Sequence, residues 1–120
     1  MPDSPVLDPQ AIENLRALNP DDNDEFLREI AGIFLDDTPL RIHELDQCLL
    51  AGDVAKFTRA AHSIKGSSAN LGATPLRAAA EKLEHEARTQ SLASLTGLIE
   101  QVKTEYRRTE IALHTLIGRQ

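Results

Sequence analysis

Apolar side chains recur at the spacing of an α-helix along most of this chain. The clearest run places them at i, i+3, i+4, i+7 and i+11: Leu76, Ala79, Ala80, Leu83 and Ala87. In a helix of about 3.6 residues per turn, these positions lie on one face. Only 3% of the residues are aromatic, so the core must be aliphatic and alanine-rich, which suits packed helices better than a β-sandwich. The pattern therefore predicts an all-α protein.

Capping residues and prolines mark where the first two helices begin and end. Asp8-Pro9 combines an N-cap residue with a proline at the first helical position. Asn19-Pro20 ends this short helix. A second helix begins near residues 22–24 and ends at Gly52. Thr38-Pro39 lies inside it and predicts either a kink or a restart.

Similar signals delimit the remaining helices. Asp53 caps a third helix, which Gly72 ends. Thr74-Pro75 repeats the combination of cap and proline and begins a fourth. The last helix begins near Ser91 or Ser94.

Four long amphipathic helices with short connections predict an antiparallel four-helix bundle, with the short N-terminal helix as an extra element that closes one end. The polar Thr109 interrupts the apolar stripe of the last helix, which predicts that its final turns bend or project past the core. Residues 1–7 contain two prolines and are interpreted as a flexible leader. Residues 8–118 are predicted to form a single domain.

Composition argues against several functions. The net charge is −6 and no dense Lys/Arg block is present, so nucleic-acid binding is not expected. No apolar stretch approaches the roughly 18 residues of a membrane span, and the polar N-terminus does not resemble a signal peptide. Cys48 is the only cysteine, which excludes an internal disulfide and favours a cytoplasmic protein with a buried thiol.

One histidine points away from the apolar face of the third helix. On a helical projection at about 100° per residue, four apolar residues lie within roughly 40° of the direction opposite His62. They are Phe57, Ala60, Ile64 and Leu71. The imidazole is therefore predicted to be exposed. A neutral imidazole is a competent nucleophile near pH 7 because its unperturbed pKa is about 6.5.

The face around His62 carries small and cationic side chains, among them Arg59, Lys65, Gly66 and Ala69. A glycine inside a helix costs about 1 kcal/mol relative to alanine. Gly66 lies one turn after the histidine, so it leaves room for a large group to approach the ring. Lys65 adds a positive charge within one turn. Open access beside a cation suits an incoming phosphoryl group.

The segment 61–73 reads Ala-His-Ser-Ile-Lys-Gly-Ser-Ser-Ala-Asn-Leu-Gly-Ala. It resembles the histidine-containing phosphotransfer (HPt) domain family, whose pattern is close to Ala-His-x-Leu-Lys-Gly-Ser-Ser-x-x-Leu-Gly-Ala. The one departure is Ile64 in place of the usual leucine, a conservative change. The similarity in layout extends from about residue 8 to 117, and it implies the same helical bundle.

The resemblance implies that His62 is a phosphoacceptor. One ring nitrogen, usually Nε2, would attack the aspartyl phosphate of a receiver domain, and the phosphoryl group would pass to an aspartate of another receiver. Lys65 would stabilise the phosphate and Gly66 would give access. The expected partners are receiver domains of hybrid sensor kinases and of response regulators. The Mg²⁺ would be supplied by the receiver, so no cofactor or metal is expected in this chain.

Further site residues follow from the same resemblance. Glu84 and Arg88 are four residues apart on the fourth helix and could be only an exposed ion pair worth about 0.3–0.5 kcal/mol. In the HPt family, polar residues of this helix often lie beside the active histidine, and a carboxylate could orient the imidazole. Arg88, and by their position on the His62 face Arg59 and Ala69, are supporting or docking candidates. Ser67 and Ser68 point toward the core and are interpreted as packing residues.

The chain has no phosphate-binding glycine-rich loop or kinase-type nucleotide segment. We therefore predict a phosphohistidine carrier of a multistep His–Asp phosphorelay rather than a kinase, and expect a monomer. Two alternatives stay open: a non-catalytic adaptor that binds receivers, and a bundle of the histidine-kinase dimerisation type. Glu-x-x-His motifs and cysteine pairs are absent, so His43, His85 and His114 do not indicate a metal site.

Overall fold

The computed structural model describes residues 5–118, which contain helices and no strand. The elements are α1 (Pro9–Leu18), α2 (Glu25–Ala51), α3 (Val54–Asn70), α4 (Thr74–Glu86), a short 3₁₀ helix (Leu92–Leu95) and α5 (Thr96–Ile117). Helix α2 packs against α3 and α5, and α4 packs against the same two helices. This arrangement closes a four-helix bundle, and α1 lies against α2. The all-α prediction is confirmed.

Helix α1 is fixed to the turn between α3 and α4. The Asp8 carboxylate caps α1 by accepting a hydrogen bond from the backbone N–H of Gln10 at 3.0 Å. The backbone N–H of Asp8 donates to the carbonyl of Gly72 at 2.8 Å. A Cβ on Gly72 would lie 2.5 Å from Cβ of Ala11, so only glycine permits this approach. Of the predicted leader, residues 1–4 lie outside the described part of the chain, and Leu7 packs partly buried against the core.

Helix α2 continues through Pro39 without a restart. Proline has no N–H, so it cannot donate to the carbonyl of Leu35, four residues earlier. The hydroxyl of Tyr106 on α5 donates to that carbonyl at 3.4 Å. A side chain from a neighbouring helix therefore replaces the missing helical hydrogen bond.

The final turns of α5 do not project past the core, so the prediction drawn from the polar Thr109 is wrong on this point. Thr109 is fully buried, as is Leu113 one turn later, so the core stripe continues. The Thr109 hydroxyl donates to the backbone carbonyl of Glu105 at 2.8 Å, which satisfies it inside its own helix. With the hydroxyl satisfied, the threonine can be buried among apolar side chains.

Two boundaries differ slightly from the sequence prediction. Thr74 is the first residue of α4, and Ala73 occupies the N-cap position without a side-chain hydrogen bond. The last helix is preceded by the 3₁₀ turn that follows Ser91. Cys48 is buried, as predicted. Among the residues described, no helix has both the length and the apolar character needed to cross a membrane.

Candidate functional site

Helix α3 presents His62 to solvent near the middle of its length. Phe57, Ala60 and Ile64 are buried on the opposite face. The His62 side chain is 65% exposed, in agreement with the helical projection. Packing against α2 and α4 fixes the helix, so the backbone that carries the imidazole belongs to the rigid bundle.

Helix α4 places a buried carboxylate against the imidazole. The Glu84 side chain is only 8% exposed, and its Oε2 lies 2.9 Å from Nδ1 of His62. A carboxylate oxygen only accepts, so the neutral ring must carry its proton on Nδ1 and donate it to Glu84. Nε2 is then left with its lone pair available.

Two cations share the same carboxylate. The Nζ of Lys65 lies 2.8 Å from Oε1 of Glu84, and an Nη of Arg88 lies 3.4 Å from Oε2. Burial by itself would raise the pKa of the Glu84 carboxyl. The hydrogen bonds from Lys65 and His62, together with their charges, outweigh burial and lower its pKa below the ordinary value. Glu84 is therefore ionised at neutral pH.

The remaining predicted site residues lie around this cluster. No atom outside the helix's own backbone would come within 4 Å of a Cβ on Gly66, so no internal packing contact requires a glycine there. Arg59 and Ala69 are exposed and, within residues 5–118, make no hydrogen bond or ion pair with the cluster. Ser68 is buried and its hydroxyl donates to the carbonyl of Ile64 at 2.6 Å.

The pairing of Lys65 with Glu84 was not foreseen from the sequence. The sequence does indicate that His62 and Glu84 face each other, because each is eleven residues from Ala73, which lies in the turn between the two helices. In an antiparallel helical hairpin, residues equidistant from the turn lie opposite one another. Lys65 follows His62 by three residues and therefore reaches the same carboxylate.

The part of the chain that the structure describes was searched for clusters of metal-ligating side chains. Within residues 5–118, no three His, Cys, Asp or Glu side chains come together as metal ligands would. The carboxylate nearest His62 belongs to Glu84, and its oxygens already contact His62, Lys65 and Arg88.

The fold and the site together define a helical bundle that carries an exposed histidine backed by a buried, ionised carboxylate. A sequence profile of the Hpt domain matches residues 29–112. Because this match covers well over half of the chain, the chain belongs to the Hpt domain family.

Solved structures of similar fold include two from very different organisms. Histidine-containing phosphotransfer protein B (HptB) from Pseudomonas aeruginosa PAO1 is 30% identical, covers 98% of this chain and 99% of its own, and has a TM-score of 0.83. Histidine-containing phosphotransfer protein MtHPt2 from Medicago truncatula also has a TM-score of 0.83. Its identity is 23%, over 94% of this chain and 78% of its own, so it supports the fold alone.

Curated relatives include a plant and a yeast protein. Histidine-containing phosphotransfer protein 4 from Arabidopsis thaliana is 28% identical over 102 residues, which cover 83% of this chain and 80% of the relative. Multistep phosphorelay regulator 1 from Schizosaccharomyces pombe is 30% identical over 83 residues, or 69% of this chain. The match spans only 28% of that regulator's length.

Proposed function

We propose that this chain is a phosphohistidine carrier of a multistep His–Asp phosphorelay, with His62 as the phosphoacceptor. The observation that carries the proposal is the contact between Nδ1 of His62 and Oε2 of Glu84 at 2.9 Å on an exposed ring. This contact directs the lone pair of Nε2 toward solvent. Membership of the Hpt domain family supports the same function.

Transfer to this chain proceeds by attack of Nε2 on the phosphorus of an aspartyl phosphate. The bond between phosphorus and the aspartyl oxygen breaks, and its electron pair returns to the aspartate carboxylate. The imidazole gains positive charge as the new P–N bond forms, because Nδ1 keeps its proton. The ionised Glu84 lies against that proton and stabilises the charge. Onward transfer reverses these steps with an aspartate of a second receiver.

Lys65 and Gly66 complete the acceptor site in this proposal. Lys65 is positioned by its ion pair with Glu84 at 2.8 Å and supplies positive charge for the phosphoryl oxygens. Gly66 leaves the space beside the ring open. Arg88 lies on the same oxygen of Glu84 that faces His62, at 3.4 Å, and supports the orientation of the carboxylate.

The proposed partners are receiver domains of hybrid sensor kinases and of response regulators. An apolar depression of about 120 Å³ lies between α2 and α3, lined in part by Ser67 and Asn70 of α3 and by Ile33 of α2. Ile33 is 60% exposed and offers apolar contact area to such a partner. The phosphate would arrive already activated, so the chain needs neither ATP nor a metal of its own, and the Mg²⁺ would be held by the receiver.

The test is phosphate uptake from a receiver that has been charged with a labelled small-molecule phosphodonor. The expected result is an acid-labile, base-stable label on His62. Replacement His62→Gln should abolish the label and leave folding intact because the side chain is exposed. His43→Gln is the matched control, since His43 is an exposed histidine of α2.

Two outcomes would overturn the proposal. Label on another residue would move the acceptor site away from His62. A folded protein that binds receivers, takes up no label and binds equally well after His62→Gln would instead be an adaptor.

A further inference from the structure

A polar depression, separate from the apolar one near Ile33, also lies between α2 and α3, toward the N-terminal half of α3. It has a volume of about 220 Å³, and its lining includes Arg41 and Glu44 from α2 and Lys56, Arg59 and Ser63 from α3. We call it the α2–α3 groove. Ser63 is the residue after the acceptor histidine, so the groove begins beside the acceptor.

The α2–α3 groove is positively charged in an acidic protein. Its lining contains three cations and one carboxylate, and with Asp37, which pairs with Arg41, the local net charge is +1, whereas the whole chain has a net charge of −6. Arg41 is held by Glu44 at 2.9 Å and Asp37 at 3.3 Å. These contacts make Arg41 a fixed part of the groove wall.

The other two cations are available to a partner. Lys56 and Arg59 are exposed, and neither forms an ion pair within residues 5–118. They are three residues apart on α3, so they lie on neighbouring turns of one face. Their charges are therefore not neutralised by this chain.

The depression on the α4 side of His62 differs in this respect. Its lining pairs the cations Lys65 and Arg88 with the carboxylates Glu81 and Glu84, so its formal charges cancel. Of these two depressions, the one on the α2 side is therefore the one with excess positive charge. A partner that responds to this charge would approach from that side.

The chemistry of the partner follows from the proposed function, on which this inference rests. A receiver that holds Mg²⁺ at its phosphoaspartate needs several carboxylate ligands there, because Mg²⁺ binds hard oxygen donors. Its reacting face is therefore acidic. We propose that the α2–α3 groove is the electrostatic docking site for the acidic rim of the receiver's phosphorylation site, with Lys56 and Arg59 as the contacts that set the approach.

Such contacts act on association rather than on the chemical step. Complementary charge accelerates diffusional encounter by roughly 10- to 1000-fold, and salt screens the effect. The groove should therefore raise kcat/KM for phosphotransfer and make it depend on salt. It should leave the rate at saturating receiver concentration unchanged.

The experiment measures phosphotransfer from a charged receiver to the double variant Lys56→Glu/Arg59→Glu. The control is Lys82→Glu/Arg107→Glu, which makes the same change in net charge at two exposed residues outside the groove. We expect kcat/KM to fall at least about tenfold in the groove variant and much less in the control. The difference should disappear as ionic strength rises from about 0.01 M to about 1 M, where the Debye length falls from about 30 Å to about 3 Å.

The neutral variant Lys56→Gln/Arg59→Gln should show a smaller loss at low salt that also disappears at high ionic strength, and it replaces the charge reversal if that variant unfolds. Equal losses in groove and control variants, or a loss of the saturating rate alone, would overturn the groove proposal. Failure of the wild-type protein to acquire label on His62 would instead overturn the proposed function.

Discussion

Glu84 connects the acceptor histidine to the rest of the bundle. It is a buried carboxylate with hydrogen-bonding partners on α3 and on its own helix. Removing one member of a buried ion pair leaves the remaining charge buried without a counterion, and this costs more free energy than the pair itself contributes. The residue therefore serves both the stability of the helix pair α3–α4 and the orientation of His62.

The lowered pKa of Glu84 predicts a pH-dependent contribution to stability. A carboxyl whose folded pKa lies below its ordinary value of 4.5 stabilises the fold above about pH 4.5, and this contribution is lost as pH falls through the folded pKa. Glu84→Gln should therefore lower the free energy of unfolding at pH 7, and the deficit should shrink as the pH falls below about 4.5. Urea denaturation at several pH values measures this.

Glu81→Gln provides the control, because Glu81 is exposed on the same helix and, among residues 5–118, forms an ion pair only with the half-exposed Arg77, at 3.4 Å. It should change the free energy of unfolding little at any pH. A deficit in Glu84→Gln that stayed constant down to pH 3 would show that the charge of Glu84 does not contribute.

Substitutions at Gly66 are expected to affect the stability of the fold and the rate of phosphotransfer differently. Gly66→Ala should raise the free energy of unfolding by up to about 1 kcal/mol, because alanine favours the helix and its Cβ meets nothing. Gly66→Gln should fold as well but transfer phosphate more than about tenfold slower, because the side chain obstructs the approach to His62. Urea denaturation and single-turnover transfer measure the two effects.

Gly97→Gln is the matched control for the transfer rate, since Gly97 also has open space at its Cβ position but lies in α5. Its transfer rate should equal that of the wild-type protein. Normal transfer by Gly66→Gln would remove the steric argument for Gly66.

The continuity of α2 depends on a contact with another helix. Pro39 deprives the Leu35 carbonyl of its helical donor, and Tyr106 of α5 supplies a hydroxyl instead. Burial, with a smaller effect from Glu110 and Asp36, raises the pKa of Tyr106 to about 12. The hydroxyl therefore remains protonated and can donate throughout the physiological pH range.

A double-mutant cycle tests this replacement. Tyr106→Phe should cost about 1 kcal/mol in the wild-type background, because a buried carbonyl loses its donor. In a Pro39→Ala background, residue 39 regains its N–H and can serve Leu35, so Tyr106→Phe should cost clearly less. The free energies of unfolding of the four proteins give the coupling, and purely additive costs would contradict the exchange of donors.

Assembly of the whole bundle requires α1 to approach the α3–α4 turn closely. That approach occurs at Gly72, which has φ of +68° and no space for a Cβ beside Ala11 and Asp8. The same turn aligns α3 with α4 and so sets which residues of α4 face His62. The closure of the bundle end and the geometry of the site therefore share one glycine.

Two glycine substitutions separate backbone strain from the close approach. Gly52→Ala and Gly72→Ala both place alanine at a positive φ, of +73° and +68°, which costs about 1–2 kcal/mol. A Cβ at Gly52 would meet nothing, whereas at Gly72 it would collide with α1. Gly72→Ala should therefore lower the free energy of unfolding by at least about 1 kcal/mol more than Gly52→Ala. Equal losses in urea denaturation would show that α1 is not held against this turn.

The positions of the helices and the outward direction of His62 could be read from the sequence. Helix boundaries and exposed faces depend on the 3.6-residue period, on caps and on glycines, which are local properties of the chain. This is why the stop at Gly52, the caps at Asp8 and Asp53 and the solvent-facing side of α3 were all predictable. The prediction that Glu84 lies beside the histidine rested on the family resemblance and not on the helical period.

The contacts between side chains of different helices became clear from the folded bundle. Lys65 reaches Glu84, Tyr106 serves the carbonyl of Leu35, and Thr109 enters the core. Each outcome depends on the register and rotation of one helix against another, which packing over the whole bundle sets and the 3.6-residue period does not encode. For Glu84 the equal distances of His62 and Glu84 from Ala73 indicate the register, but not which atoms meet. The α2–α3 groove has the same origin, because its charges come from two helices whose relative position is fixed only by folding.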